Sequence, residues 1–218
     1  MGKLFRRLTP FWIALGCGLV LLLFVLIRFE KGAGFLSVQI PHSDQLNLLF
    51  GIFTFPGDGL FAIAMVLLLL AMGTYRKALT LLTGYISGGL LVQFGKLVIF
   101  TPTPRPVKWF ELNNYPFELP QGLNPHMWHS FPSGHSASAA TLFLFFACMS
   151  NKKSVQFTCG LLALLVGYSR IYLFMHFPED VFTGLIIGAF AMLVSQDRLD
   201  RWFDRKTFSW ANKNLLKR

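Results

Sequence analysis

The sequence contains few charged residues. Asp, Glu, Lys and Arg make up 14% of its 218 residues, whereas 54% are hydrophobic. A soluble domain of this length carries about a quarter of its residues as charged side chains. The deficit excludes a disordered chain and an ordinary soluble enzyme, because a chain this apolar can bury its excess hydrophobic surface only in a bilayer. The three cysteines lie within apolar runs and predict neither a disulfide framework nor a metal site.

Six apolar stretches have about the 20 residues that a helix needs to cross a bilayer. They are residues 11–29, 57–75, 78–100, 133–150, 154–174 and 179–195. We predict an all-α fold, a bundle of six transmembrane helices that forms one membrane-embedded domain over residues 1–218, with a basic tail at 196–218. The first stretch follows basic residues, as a secretory signal does, but its long apolar core and poor cleavage site favour an uncleaved anchor.

The basic residues are unevenly distributed about these spans. The N-terminus, the turns after the second and fourth spans and the tail together carry 14 of the 20 Lys and Arg residues. Because Lys and Arg concentrate on the cytoplasmic side, we predict that both termini are cytoplasmic. The long segments 30–56 and 101–132 then lie on the opposite face, which is periplasmic if this is a bacterial inner-membrane protein. We interpret the tail as a segment that faces anionic lipid, with no nucleic-acid partner.

Ionisable residues are rare within the spans, and they gather near the non-cytoplasmic surface. The set comprises Lys96, Arg105, His135, Arg170, His176 and Asp180. Ionisable groups at such positions are costly and are functional candidates by default. A long side chain that reaches up to the surface explains a single Lys or Arg, but it does not explain two histidines, a carboxylate and three cations at one membrane level.

These residue types are suited to phosphoryl transfer. Three cations, two of them guanidinium groups, can hold a phosphate. Ser133 is a suitable N-cap for the fourth span, and Gly134 lets backbone amide groups approach an anion. Two histidines can supply a nucleophile and a proton donor, and Asp180, four residues after His176, can orient one imidazole. We therefore predict phosphoryl transfer without a metal or another cofactor.

At these residues the chain resembles the type 2 phosphatidic acid phosphatase superfamily. Residues 132–135, Pro-Ser-Gly-His, match the second signature of that family. Residues 169–180 match its third signature, which is Ser-Arg, five residues, His, three residues and Asp. The first signature is a Lys, six residues and Arg-Pro, whereas eight residues separate Lys96 from Arg105 here. The lysine of the first signature is therefore either Lys96 or Lys108.

The resemblance implies hydrolysis of a lipid phosphate at these positions. The family's nucleophile falls on His176, which forms a phosphohistidine, and Asp180 orients it. His135 protonates the leaving oxygen and then activates water. The resemblance assigns the phosphate to Lys96, Arg105, Ser133, Gly134 and Arg170, and it implies no divalent metal.

The shared chemistry does not select one substrate. Undecaprenyl pyrophosphate, phosphatidylglycerol phosphate, phosphatidic acid and a lipid A phosphate all join an anionic headgroup to apolar tails. A phosphotransferase that passes the phosphoryl group to a second lipid would use the same residues. An anion transporter is an alternative of another class, although transporter sites usually lie near the bilayer midplane between repeated halves, and this chain has no repeat.

Overall fold

The computed structural model describes residues 1–100, 102–206, 208 and 210–216. Over these residues the elements are ten α-helices, one 3-10 turn and one π-helical turn, and no β-strand is present. The α-helices are α1 (Gly2–Arg7), α2 (Thr9–Arg28), α3 (Lys31–Ser37), α4 (Asp44–Phe53), α5 (Gly59–Met72), α6 (Tyr75–Phe94), α7 (Pro106–Leu112), α8 (Gly134–Met149), α9 (Lys153–Tyr172) and α10 (Pro178–Arg205). The prediction of an all-α fold is confirmed for the described part of the chain.

Each of the six predicted spans contains a helix, but the helices differ in length. Helices α2, α9 and α10, together with α6 extended by its π-helical turn to Ile99, are long and apolar enough to cross a membrane. Helix α5 has 14 residues and meets the preceding helical segment Asp44–Gly57 at a bend of 52°. Helix α8 has 16 residues. The described residues thus give four candidate spans, or five with the bent pair, and six spans remain a prediction.

Helix α8 lies at the centre of the bundle, and ten of its 16 residues are buried. It packs against α6, α9 and α10. Its contact with α10 depends on Gly184, where a Cβ atom would collide with the carbonyl oxygen of Ser133. Beside this contact, the backbone N–H of Ser133 donates to the carbonyl of Asp180 at 3.0 Å. The start of α8 is therefore held against the first turn of α10.

The directions of the helices bring the sequence signatures to one end of the bundle, where α6 and α9 end and where α8 and α10 begin. At the other end, Arg76 at the start of α6 pairs with Asp200 at 2.7 Å and with Asp204 at 3.1 Å. There Arg7 also donates to the carbonyl of Cys148 at 2.6 Å, near the end of α8. The basic turns and the two candidate histidines thus lie at opposite ends.

Helix α10 continues ten residues beyond its predicted end at residue 195. Asp197, Asp200 and Asp204 follow helical spacing on this extension. Asp197 pairs with the N-terminal amine and with Arg201, and the other two pair with Arg76. The first part of the predicted tail is therefore a helix that is tied to the rest of the bundle.

Candidate active site

His176 lies in the tight turn that joins α9 to α10. Phe174 in this turn has a left-handed φ of 56°. The N–H of Met175 donates to the carbonyl of Arg170 at 2.9 Å, and the N–H of Phe174 donates to the carbonyl of Ile171 at 3.0 Å. This pair of hydrogen bonds is a Schellman motif, which ends a helix. A left-handed residue other than glycine costs about 1 kcal/mol, so the surrounding packing has to hold this turn.

Aromatic residues of α3 and α7 supply that packing. Phe177 contacts the rings of Phe35 at 5.5 Å and Trp109 at 5.8 Å between centroids. The ammonium group of Lys31 lies 4.2 Å from the centroid of the Phe177 ring and pairs with Glu179 at 2.9 Å. The residue after His176 is therefore held on several sides.

The imidazole of His176 faces the carboxylate of Asp180. Nδ1 of the histidine and Oδ2 of the aspartate are 3.3 Å apart, and each side chain is 2% exposed. Oδ2 also accepts from the backbone N–H of Phe177 at 2.9 Å and from the hydroxyl of Ser130. Because Nδ1 is engaged, Nε2 is the ring nitrogen that is left to react.

Burial lowers the pKa of His176 well below its usual range, and the nearby cations Arg105, Arg170 and Lys96 lower this pKa further. The imidazole is therefore uncharged at neutral pH, which is the form with a free lone pair. The three predicted phosphate-binding cations act on the same imidazole, so the structure brings them together around it.

Arg105 is 9% exposed and is held by backbone carbonyls. Its Nε donates to Trp128 at 2.8 Å, and its Nη1 donates to Met175 at 3.1 Å. Burial lowers the pKa of Arg105, while Asp180 raises it, and the guanidinium group remains charged near neutral pH. These contacts fix the orientation of the guanidinium group and tie the loop before α8 to the turn that carries His176.

Arg170 is 5% exposed and lies in the last turn of α9. Its Nη1 donates to the hydroxyl of Thr54 at 2.7 Å. Its Nε is buried and has no hydrogen-bond partner among the described residues. A buried donor without a partner is costly, so a charged donor in this position suits an anionic ligand.

Lys96, and not Lys108, lies among these groups. Its Nζ donates to the carbonyl of His129 at 2.9 Å, whereas Lys108 forms an ion pair with Glu111 at 3.1 Å. Lys96 belongs to the π-helical turn Gly95–Ile99 at the end of α6, where the N–H of Phe100 donates to the carbonyl of Gly95 at 2.9 Å. A π-helical turn contains more residues than an α-helical one. It therefore helps to accommodate the longer spacing before Arg105.

The second signature opens α8 as predicted. Ser133 is the N-cap, and its Oγ accepts from the N–H of Ser136 at 3.3 Å. This side chain is fully buried, and its oxygen also accepts from the hydroxyl of Ser136 at 2.8 Å. His135, two residues later, has a half-exposed imidazole beside a cavity of about 220 Å³ between α5, α6 and α8.

Three residues that the sequence analysis did not identify also contact the site. They are Ser130, which donates to Asp180, Thr54, which accepts from Arg170, and Asp58, whose Oδ2 is 3.8 Å from Nε2 of His135. Asp58 had a recognisable signal, since it is an acidic residue at the start of an apolar span. Ser130 and Thr54 had no such signal in the sequence, because Ser and Thr are common in loops.

Comparison with known proteins identifies the family. A profile of the PAP2 superfamily matches residues 77–202, which is more than half of the chain. The chain belongs to the PAP2 superfamily. The resemblance that the signatures indicated is thus confirmed.

Two relatives illustrate the range of activities in this family. Phosphatidylglycerophosphatase B of Bacillus subtilis is 41% identical over 68 residues, which cover 27% of this chain and 34% of the relative. Undecaprenyl-diphosphatase of Sulfolobus acidocaldarius is 27% identical over 198 residues, or 85% of this chain and 89% of the relative. This chain thus spans about a third of the Bacillus relative but most of the Sulfolobus one.

The fold matches the crystal structure of a transmembrane PAP2-type phosphatidylglycerolphosphate phosphatase from Bacillus subtilis. The TM-score is 0.58 at 22% identity, and the match covers 94% of this chain and 99% of that chain. At this identity the likeness concerns the fold alone. The long apolar helices are those of an integral membrane protein.

Proposed function

We propose that this protein is a membrane lipid phosphatase, which hydrolyses a phosphate monoester or a pyrophosphate of a lipid through a phosphohistidine. The observation that carries the proposal is the buried His176–Asp180 pair, which lies among three cations at one end of a bundle of apolar helices. The names of the relatives support the same class of reaction, since they are a phosphatidylglycerophosphatase and an undecaprenyl-diphosphatase.

In the first step, Nε2 of His176 attacks phosphorus, and the bond from phosphorus to the lipid oxygen breaks. His135 gives its proton to that oxygen, so that the lipid leaves as an alcohol or, from a pyrophosphate, as a lipid monophosphate. The non-bridging oxygens bear the growing negative charge. The guanidinium group of Arg105, the Nε of Arg170, which has no partner in the described part of the chain, and the ammonium group of Lys96 stabilise that charge.

In the second step, the phosphohistidine is hydrolysed. The neutral His135 takes a proton from a water molecule, whose oxygen attacks phosphorus as the bond to Nε2 of His176 breaks. Inorganic phosphate leaves, and both histidines return to their starting states. Asp180 keeps the His176 ring in one orientation through both steps by its contact with Nδ1.

We propose that both steps proceed without a metal ion, because guanidinium and amide groups can supply the positive charge. In the described part of the chain, no group of three or more His, Cys, Asp or Glu side chains is arranged to hold a metal. Phosphate release in excess EDTA should therefore equal release in buffer alone. Loss of activity in EDTA that magnesium restores would contradict this part of the proposal.

We further propose that the site faces the periplasm from a bacterial inner membrane. The uneven distribution of Lys and Arg supports this orientation, since the basic turns lie at the end opposite His135 and His176. A cysteine introduced at Asn114 should react with an impermeant maleimide in intact cells, and one at Lys152 should react only after lysis. The reverse pattern would place the site in the cytoplasm.

The test of function is phosphate release by the purified protein from four substrates. They are phosphatidic acid, phosphatidylglycerol phosphate, a lipid A phosphate and undecaprenyl pyrophosphate. The proposal predicts release from at least one of them by the native protein, and none by His176→Ala. A phosphotransferase would move labelled phosphate onto a second lipid, and a transporter would release none. Release by His176→Ala at the native rate would also contradict the proposal.

A further inference from the structure

We propose that Asp58 is a positioning residue for His135, which holds the imidazole towards the leaving oxygen and stabilises its protonated form. This inference rests on the proposed phosphatase function. Asp58 lies outside residues 77–202, the part of the chain that matches the family profile. It also lies outside the three signatures that the sequence carries.

The two oxygens of the Asp58 carboxylate have different partners. Oδ1 accepts from the backbone N–H of Leu60 at 2.7 Å and so caps the start of α5. Oδ2 is 3.8 Å from Nε2 of His135. Because the cap fixes the carboxylate plane, the second oxygen is held towards the imidazole and does not rotate freely into water.

The backbone before Asp58 is held against α8 at a fixed distance. The 3-10 turn Phe55–Gly57 lies in the bend between α4 and α5. A Cβ atom on Gly57 would lie 2.7 Å from the carbonyl oxygen of His135, so only glycine permits this approach. On the other side of the turn, Thr54 accepts from Arg170 at 2.7 Å. The bend therefore contacts a phosphate-binding candidate at one end and the proton donor at the other.

The charges around His135 make an acidic neighbour necessary for a proton donor. Among the described residues, Arg170 and Arg105 are the cations that act on this imidazole, and Asp58 is the acidic group that acts on it. Positive neighbours disfavour a protonated imidazole, whereas a carboxylate favours it. Without Asp58, His135 would face the cations alone and would less often carry the proton that the leaving oxygen needs.

The proposal predicts a defect that depends on the leaving group. An alkyl oxygen needs a proton in order to leave, whereas an aryl oxygen of low basicity leaves without one. The variant Asp58→Asn keeps the N-cap, since Asn and Asp cap about equally well, but removes the charge. Asp58→Ser does the same with a shorter side chain. Asp44→Asn is the matched control, because Asp44 is an exposed acidic residue in the first turn of α4.

The experiment measures the first-turnover release of alcohol from an alkyl phosphate lipid and from an aryl phosphate, in detergent, with thermal unfolding as the folding check. We expect Asp58→Asn to slow alkyl release about tenfold or more, which is a fraction of what a general acid contributes, and to leave aryl release nearly unchanged. Asp58→Glu should restore part of the alkyl rate, and Asp44→Asn should match the native protein.

Three results would overturn the role of Asp58. Equal loss on both substrates would mean that Asp58 only caps α5, and no loss on either would mean that His135 acts without it. A lower KM with no dependence on the leaving group would mean that its charge merely repels phosphate. If the native protein released phosphate neither from these two substrates nor from any of the four lipids named above, the phosphatase function would fail, and Asp58 would then have no proton donor to position.

Discussion

Two imidazole–carboxylate pairs lie at the same end of the bundle, and they differ in burial and in origin. His176 and Asp180 are four residues apart in the sequence. Both side chains are 2% exposed, and Nδ1 of the histidine lies 3.3 Å from Oδ2 of the aspartate. His135 and Asp58 come from α8 and the start of α5. Their side chains are 31% and 39% exposed, and the nearest nitrogen and oxygen are 3.8 Å apart.

The difference corresponds to the tasks that we propose for the two pairs. A nucleophile needs one orientation and a neutral ring, and a buried carboxylate four residues away provides the orientation. A proton donor has to exchange protons with water in every turnover, which requires some exposure and a contact that can loosen. The first pair is therefore contained in a contiguous signature, whereas the second depends on how two helices pack.

The largest expected effect comes from the buried pair. His176→Ala removes the nucleophile and should lower kcat by several powers of ten, because a covalent catalyst has no substitute. Steady-state phosphate release measures this effect, with circular dichroism in detergent as the folding check. A well-folded variant with near-native turnover would mean that the two histidines have been assigned the wrong roles.

Arg105→Lys should lower kcat/KM by about a hundredfold, because a lysine cannot donate two parallel hydrogen bonds to a phosphate and cannot keep the backbone contacts of the guanidinium group. The same kinetic assay measures this effect. A variant that retains more than half of the native kcat/KM would mean that Arg105 serves only to tie the loop to the turn at Met175.

Lys96→Ala should have a smaller effect, a loss of about tenfold in kcat/KM, because an ammonium group acts mainly as a point charge that neighbouring cations partly replace. Lys108→Ala is the matched control and should leave turnover unchanged, since Lys108 pairs with Glu111 within α7 and not with the groups around His176. The opposite ranking would assign the phosphate to the loop and the first signature to Lys108.

The smallest effect concerns pH. The folded-state pKa of His176 is lowered, so its reactive neutral form persists as the pH falls below the usual histidine value of about 6.5. The acidic limb of kcat/KM should therefore lie below that pH, once the ionisation of the substrate has been titrated separately. If the acidic limb instead lay at the usual histidine pKa, and His176 were shown to be the group that titrates there, the imidazole would be solvated and not buried among cations.

The sequence predicted those parts of the molecule that depend on local pattern. Apolar runs located the helices, and the third signature placed His176 and Asp180 one turn apart, as the turn into α10 does. The extra residues before Arg105 indicated an irregular first signature, but not the π-helical turn at Lys96 that accompanies it. Periodicity shows which residues are apolar and does not show where a helix changes its hydrogen-bond pattern.

The contacts that the sequence did not predict all join distant segments. Thr54 and Asp58 meet Arg170 and His135 only because the chain bends by 52° between α4 and α5. The extension of α10 beyond residue 195 forms ion pairs with Arg76 and the N-terminal amine, and no residue near the predicted end of the helix signals them. Such contacts follow from tertiary packing, which a single sequence without its fold does not reveal.

The central claim is that His176 carries the phosphoryl group, and the most direct test is to trap that group. The purified protein would be mixed with substrate labelled in the phosphate, quenched in alkali, in which phosphohistidine survives, and digested for mass spectrometry. His135→Ala would be used beside the native protein, because it should slow hydrolysis of the intermediate. The account predicts phosphate on His176 and none in His176→Ala. Phosphate on another residue, or turnover with no phosphorylated residue at all, would contradict it.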